Sequence, residues 1–481
     1  MTSPGGSLLG LILLACHFAG FLCSIHALMS VRTPQGTIAW VVSLITLPYV
    51  AVPAYLVLGR TKFHGYVVAR QVLEASSQAV ALAAARPFVV EPPQDQGFTG
   101  PAVALATIPF LRGNHVDLLV DGQATFDSLF AGIDEARRYI LVQFFIVHDD
   151  ELGRELKARL LRKAAEGVRV HFLFDEVGSR GLAKRYLRDL REGGVQAVSF
   201  HTTRGPGNRF QLNFRNHRKV VVVDGRTGWI GGHNVGDEYL GKSPRLGPWR
   251  DTHVKVTGPA VLGMQRSFHD DWRWATARTL DLDWIAQGST GGDGDGDDND
   301  VAALILASGP ADPLETASLM FQAVILSARR RVWITSPYFV PDPAVTSAIH
   351  LAALRGVEVR ILIPNDPDHL LVFLSAFAFV GEMIDAGVEI YRYQAGFLHQ
   401  KVFLVDDAFA GVGTANLDNR SFRLNFEITA IFADPGVASR VEEMLAADFS
   451  RARRMTRGEL REKPVWFKLA ARAAYLASPI Q

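Results

Sequence analysis

The chain has only two cysteines in 481 residues, Cys16 and Cys23, and both lie in the first apolar run. The rest can hold no disulfide framework, thiolate metal site or cysteine nucleophile. Lysine is scarce too, ten against forty arginines. A charge excess is missing, the formal net charge being +1, which gives no basis for a broad polyanion-binding surface. Histidines and carboxylates show no metal-ligand spacing, so no metal and no cofactor are expected.

Apolar residues are abundant, 48% of the chain. Residues 8–29 and 37–58 each run for 22 positions without Asp, Glu, Lys or Arg, against the ~20 needed to cross a hydrocarbon core. Only residues 30–36 separate them, with the lone Arg32, whereas Arg60, Lys62 and Arg70 follow the second run. The pair reads as a multi-pass transmembrane hairpin with the body cytoplasmic. The competing readings are a cleaved signal peptide and a lipoprotein signal ending at Cys16. A signal peptide needs a basic start, which residues 1–7 lack, and predicts no second span immediately afterwards.

The length exceeds one ordinary core of about 100–200 residues, and the body contains an internal repeat. Glu166-Gly-Val-Arg-Val-His-Phe-Leu parallels Arg355-Gly-Val-Glu-Val-Arg-Ile-Leu, and Glu192-Gly-Gly-Val-Gln-Ala-Val parallels Asp385-Ala-Gly-Val-Glu-Ile-Tyr. Each is a helix end, a Gly stop and a strand, so each half is expected to be α/β. Between the halves, residues 287–300 contain no large apolar side chain and predict a solvated linker. An EF-hand loop opening at Asp293 would need Gly and Glu where Asp298 and Leu304 stand. The expected organisation is a hairpin over 1–60, a connector over 61–102, a first half over 103–286, an acidic linker over 287–300, a second half over 301–455 and a basic amphipathic tail over 456–481. In the tail, Trp466, Leu469, Ala473 and Leu476 share one helical stripe, with Lys468 and Arg472 on another face. Such a stripe suits an interfacial helix on anionic lipid, or packing against its own domain.

Each half carries one motif, His217-x-Lys219-x4-Asp224 and His399-x-Lys401-x4-Asp406, running into apolar strands. Alternation on a strand turns residues i and i+2 to one face, so each motif presents an imidazole beside an ammonium. That pairing suits attack at an anionic phosphorus, the imidazole as nucleophile or proton carrier and the lysine offsetting charge in the transition state. Asn234 and Asn416 each follow their motif histidine by 17 residues and are expected to donate to phosphate oxygens. His253-x-Lys255 has Ala260 where the aspartate belongs and reads as an ordinary strand. Apolar residues flank both motifs (Phe210, Leu212 and Phe214; Phe422, Leu424 and Phe426), as acyl contacts or as core.

With these motifs the chain resembles the phospholipase D superfamily over residues 117–432, and more narrowly the bacterial cardiolipin synthases. The narrower resemblance rests on the hairpin, Asn213-Phe-Arg-Asn-His-Arg-Lys219, Gly231-Gly-His-Asn-Val-Gly-Asp-Glu-Tyr239, Trp249-Arg-Asp251, Gly413-Thr-Ala-Asn-Leu-Asp-Asn-Arg-Ser421 and Asn425-Phe-Glu427. It implies two pseudo-symmetric phospholipase D-like α/β halves around one active site. One histidine, assigned as His217, forms a phosphohistidine, and the other, His399, serves as acid and base, with the reverse open by pseudo-symmetry. Lys219, Lys401, Asn234 and Asn416 would hold the phosphoryl oxygens, while Asp224 and Asp406 brace the site from strand ends. The resemblance also implies a carboxylate on the next strand orienting each histidine, Asp251 in the first half and Glu427 in the second. The implied reaction moves a phosphatidyl group from one phosphatidylglycerol to another at a bacterial inner membrane rich in anionic lipid, with no nucleic-acid partner. Hydrolytic phospholipase D, a transferase using another alcohol, a nuclease and a silent membrane scaffold are the alternatives.

Overall fold

The computed structural model describes residues 4–31, 33–59, 62–71, 74–90, 97–201, 213–243, 245–288 and 300–480. Arg32, Arg60, Phe210, Leu212 and most of the acidic linker lie outside them.

The first apolar run is one helix, Pro4–Ser30, and its segment Leu8–Ser30 is long and apolar enough to span a bilayer. The second run departs from the expected single span. It forms two helices, Pro34–Thr46 and Pro48–Leu58, broken at Leu47 (φ −134°, ψ 54°). Pro48 has no amide hydrogen to continue the helical ladder and drives the preceding residue out of the α region. All three helices pack together. At Gly20 a Cβ would lie 2.3 Å from the Leu44 carbonyl oxygen, Ala27, Leu44, Ala51 and Tyr55 form a small core, and His26 Nδ1 lies 2.7 Å from the Tyr55 hydroxyl. Leu14, Phe18, Phe21 and Leu28 remain exposed on the outer surface.

Immediately downstream, Phe63 and Tyr66 insert into the body. Phe63 packs on Phe214 and Trp274 (ring centroids 5.3 and 4.8 Å) and Tyr66 on Phe426 (4.7 Å). The residues flanking the motifs are therefore core: Phe214, Phe422, Leu424 and Phe426 are all buried, at 1, 4, 6 and 1% exposure.

The two halves repeat one strand order outward from a central seam. The first runs Leu111–Val120, Thr252–Thr257, Thr227–Gly231, Val220–Val223, Tyr139–Phe144, Arg169–Asp175 and Gln196–Phe200. The second runs Val301–Ser308, Asn425–Ala433, Phe409–Gly413, Val402–Val405, Arg331–Thr335, Glu358–Pro364 and Glu389–Tyr393, with Ala452–Arg454 added at the edge. In each half the inner four pairings are antiparallel and the next two parallel. The seam joins Leu111 to Ala303 and Asn114 to Val301, making the two sheets one. Helices cover both faces, so the strands are apolar on both sides: Val220, Val222, Val402 and Leu404 enter a core shared by the halves, while Val221 and Val223, and Phe403 and Val405, enter separate outer cores.

Candidate active site

Each motif strand ends in a tight turn at its aspartate. Asp224 and Asp406 adopt φ of 52° and 49°, a conformation Asp tolerates better than most residues. The Asp224 carboxylate accepts from the amides of Arg137, Arg138 and Tyr139 at 2.8–2.9 Å, and Asp406 accepts from those of Arg329, Arg330 and Arg331 at 2.8–3.1 Å. Both therefore clamp the neighbouring strand at the end remote from the histidines. Their hydrogen bonds are to backbone amides of the scaffold.

At the other end, short strands bring the halves into register. Arg215–Asn216 pairs in parallel with the start of Asn425–Ala433, and Phe397–Leu398 pairs in parallel with Trp249–Arg250. The amide of His217 donates to the Phe426 carbonyl (2.9 Å) and that of His399 to the Arg250 carbonyl (2.8 Å). This register carries each histidine onto a carboxylate of the opposite half. His217 Nδ1 lies 2.9 Å from Glu427 Oε2, and His399 Nδ1 lies 2.6 Å from Asp251 Oδ2. The expectation that each half orients its own histidine is thus corrected: the pairing crosses the seam. Glu427 is fixed through its other oxygen by Ser421 Oγ (2.9 Å) and Asn425 Nδ2 (3.1 Å). Asp251 Oδ1 accepts the Thr252 amide (2.7 Å) and lies against Gly232, where a Cβ would be 2.0 Å away.

Both histidines and both lysines are buried, and they feel one another. Burial lowers His217 to about 4 against the partial opposition of Glu427, with Lys219 and Lys401 lowering it further. His399 is held well below its usual value by burial, then by Lys401, Lys219 and His217. Burial also pulls Lys219 well down, and Lys401 to about 8, with Asp251 and Glu427 opposing. Although burial pushes Glu427 up, His217 and Lys219 outweigh it and hold the carboxylate ionised. A neutral imidazole that donates Nδ1–H to a carboxylate keeps its lone pair on Nε2, free to attack or to take a proton. Lys219 Nζ donates to the His217 carbonyl (2.7 Å) and Lys401 Nζ to the His399 carbonyl. Lys401 Nζ is also 2.8 Å from His399 Nδ1. As that nitrogen's hydrogen is committed to Asp251, it offers no lone pair there, and the carbonyl is the lysine's acceptor.

The asparagines differ from each other. Asn416 Oδ1 is buried without a hydrogen-bond partner, whereas Asn234 is engaged at both ends, accepting from the Ile146 amide (3.0 Å) and donating to the Tyr239 hydroxyl (2.7 Å). Tyr239, the acceptor of the Asn234 amide, stands with its ring edge-on to His399 at 5.9 Å beside Trp249 at 5.2 Å. Phe145 packs edge-on to His217 at 5.0 Å.

Sequence reasoning missed the layer beneath. Arg218 sits between His217 and Lys219, points to the opposite face, and bonds both oxygens of Asp271 at 2.9 Å. Asp271 also accepts from Tyr66, Gln143 and Asn216 at 2.7–2.8 Å. In the other half Gln400 holds the same position and donates to Asp448 (2.8 Å), which also receives Arg250 Nε and Nη2 (2.7 and 2.8 Å). The only signal in the sequence was a polar residue inside each motif, on a strand otherwise buried on both faces.

Comparison with known proteins follows the same outline. A family described as "Cardiolipin synthase, PLD-like domain" matches residues 129–245 and 321–449, and one described as "Phospholipase D-nuclease N-terminal" matches residues 19–60. Cardiolipin synthase A of Pseudomonas putida is 51% identical over 99% of this chain and 98% of its own. Cardiolipin synthase A of Pseudomonas entomophila is 50% identical, with the same coverage. Among solved structures, phosphatidylserine synthase of Haemophilus influenzae Rd KW20 shares the fold with a TM-score of 0.60 at 17% identity, over 84% of this chain and all of that one.

Proposed function

We propose, because this chain belongs to the cardiolipin synthase family of phospholipase D-like proteins, that it is a membrane-associated phosphatidyltransferase joining two phosphatidylglycerols into cardiolipin with release of glycerol. The observation that carries the chemistry is the pair of buried histidines, each with Nδ1 tied to a carboxylate and a lysine alongside.

His217 Nε2 attacks the phosphorus of the first phosphatidylglycerol. The P–O bond to the glycerol headgroup breaks, and the departing oxygen takes a proton from His399. The phosphate's negative charge raises the buried His399 toward protonation before this step, and Asp251, at 2.6 Å, is the closer of the two carboxylate partners for the resulting imidazolium. Neutral again, His399 takes the proton from the terminal hydroxyl of a second phosphatidylglycerol. That oxygen attacks the phosphohistidine, and the P–N bond breaks to release cardiolipin. In this reading Lys219, Lys401 and Asn416 hold the phosphoryl oxygens as they gather charge, a role that needs no metal.

Membrane attachment is through Leu8–Ser30. In our reading the Pro34–Thr46 and Pro48–Leu58 helices complete a hairpin beside it with the body cytoplasmic, because the basic residues follow the second run. Incubation with headgroup-labelled and acyl-labelled phosphatidylglycerol tests the reaction: cardiolipin and free glycerol are expected, and phosphatidic acid without cardiolipin refutes it. Mapping the trapped phosphate by peptide mass is expected to place it on His217; finding it on His399 reverses the assignment.

A further inference from the structure

The C-terminal segment answers the question its stripe posed. Helix Val465–Tyr475 lies against helix Leu370–Asp385 through its other face. Phe467 meets Phe377 (5.0 Å), Tyr475 meets Phe379 (5.3 Å), and Ala471 and Ala474 are buried. The stripe itself is uncovered, with Trp466 67% exposed, Leu469 65% and Leu476 80%. Beside it runs a groove of about 430 Å³ whose lining includes Arg461, Lys463, Lys468 and Arg472. Among the described residues none of these four has a carboxylate partner, and Lys463 is held over the rings of Phe377 and Phe467 (5.9 and 5.1 Å). The groove's two acids are Asp385, already paired with Arg457 at 2.7 Å, and Glu382.

The helix beneath this face starts near the active site. Helix Leu370–Asp385 begins with exposed Leu370 and Leu371, separated by its N-cap His369 from Asp368, whose charge acts on Lys401. Rings then connect that end to the tail, Phe373 to Phe377 to Phe467 to Trp466, at 5.0, 5.0 and 5.9 Å. Lys468 Nζ donates to the Arg461 carbonyl (2.7 Å), so the cations are held in the groove without a carboxylate to neutralise them. Exposed Trp and Leu beside such cations match the two requirements of a monolayer surface, acyl depth for the apolar groups and phosphate for the cations.

We infer that the tail helix is a second membrane-docking element, which lays Trp466, Leu469 and Leu476 into the headgroup layer of an anionic bilayer and takes lipid phosphates in the Arg461–Lys463–Lys468–Arg472 groove. It thereby brings the active-site rim down onto the surface that supplies substrate. The inference rests on membrane association but not on the transfer chemistry, so its test needs no turnover.

The absence of cysteine beyond residue 23 makes the experiment direct. In the full chain with Cys16→Ser and Cys23→Ser, an environment-sensitive label is attached at Leu469→Cys and, separately, at Leu476→Cys, with exposed Glu192→Cys as reference. The proteins are placed in nanodiscs of phosphatidylcholine with or without phosphatidylglycerol, each also prepared with brominated acyl chains. Both tail labels are expected to shift to the blue and be quenched by bromine when phosphatidylglycerol is present, while the reference does not. Adding Lys468→Glu and Arg472→Glu is expected to weaken quenching about fivefold per charge lost. Absence of quenching at both tail positions in every lipid overturns the inference, and so does quenching equal in neutral and anionic discs. Shielding that rises with protein concentration rather than with anionic lipid also overturns it, in favour of a second copy of the chain.

Discussion

Asp251 and Glu427 give the sharpest experiments at the scale of single residues, because each serves the histidine of the other half. Replacing Asp251 by Asn weakens the acid and base function of His399. Replacing Glu427 by Gln disturbs His217, the attacking group. Both are expected to lower turnover by about 10²-fold or more. Rapid quench with labelled phosphatidylglycerol separates them: Glu427→Gln forms phosphohistidine slowly, and Asp251→Asn lets it persist because the acceptor alcohol is no longer activated. Pairing within each half predicts the opposite assignment. A milder lever is Gly232→Ala, whose methyl would lie 2.0 Å from Asp251 Oδ1 and displace it; we expect kcat to fall with little change in melting temperature.

The buried histidines also set a pH limit on stability. Burial keeps His171 and His217 down at about 4, and His233 and His253 at about 3. Their folded values lie below the unfolded 6.5, so in mildly acidic solution the unfolded chain binds more protons than the folded one. Their contribution is fully present above pH ~6.5 and is lost as pH falls toward ~4, each such group withdrawing about 3 kcal/mol by the end of that window. Thermal melting in detergent should therefore drop between pH 7 and pH 5.

Among the elements, the aspartate turns are the pieces most easily taken for chemistry. Asp224→Ala removes the acceptor of three backbone amides and is expected to cost about 2–3 kcal/mol. Circular dichroism melting measures the loss. The pH profile of the remaining activity should keep its shape, which loss of a proton-transferring group would alter. The elements also show how far sequence reaches. The motif strands, the turn at each aspartate and the repeat were legible because alternation, Gly stops and spacing are local signals. The break at Leu47 was legible in principle, since Pro48 stood in plain view, but composition alone favoured one uninterrupted span. The crossing of the carboxylates was not legible at all. Nothing local in Asn425-Phe-Glu427 or Trp249-Arg-Asp251 says that their strands pair with the partner half. Asn234 shows the same limit, as its spacing matches that of Asn416 while its hydrogen bonds to Ile146 and Tyr239 differ from its counterpart's.

For the whole molecule, the connection between anchor and catalytic centre is short. Phe63 and Tyr66 follow the apolar helices directly, and the Tyr66 hydroxyl reaches Asp271, which holds Arg218 next to His217. Tyr66→Phe removes one of the partners of a buried carboxylate and should destabilise the body by about 1 kcal/mol, seen as earlier melting of the full chain. Truncation before residue 62 that spares Phe63 and Tyr66 should leave the fold intact and reduce only access to lipid in bilayers, which activity in mixed micelles against vesicles would report.

The exchange of carboxylates across the seam also bears on ancestry. A chain of half this length with the same strand register would hold a histidine it could not orient and an acid with nothing to orient, until two copies met about a two-fold axis. There each copy would complete the other, as a self-complementary interface requires. Joining two such copies in tandem would abolish the concentration dependence of that encounter and free the halves to differ, as Arg218 and Gln400 do at one motif position. His217 with Glu427 and His399 with Asp251 are then the places where each half still answers to the other.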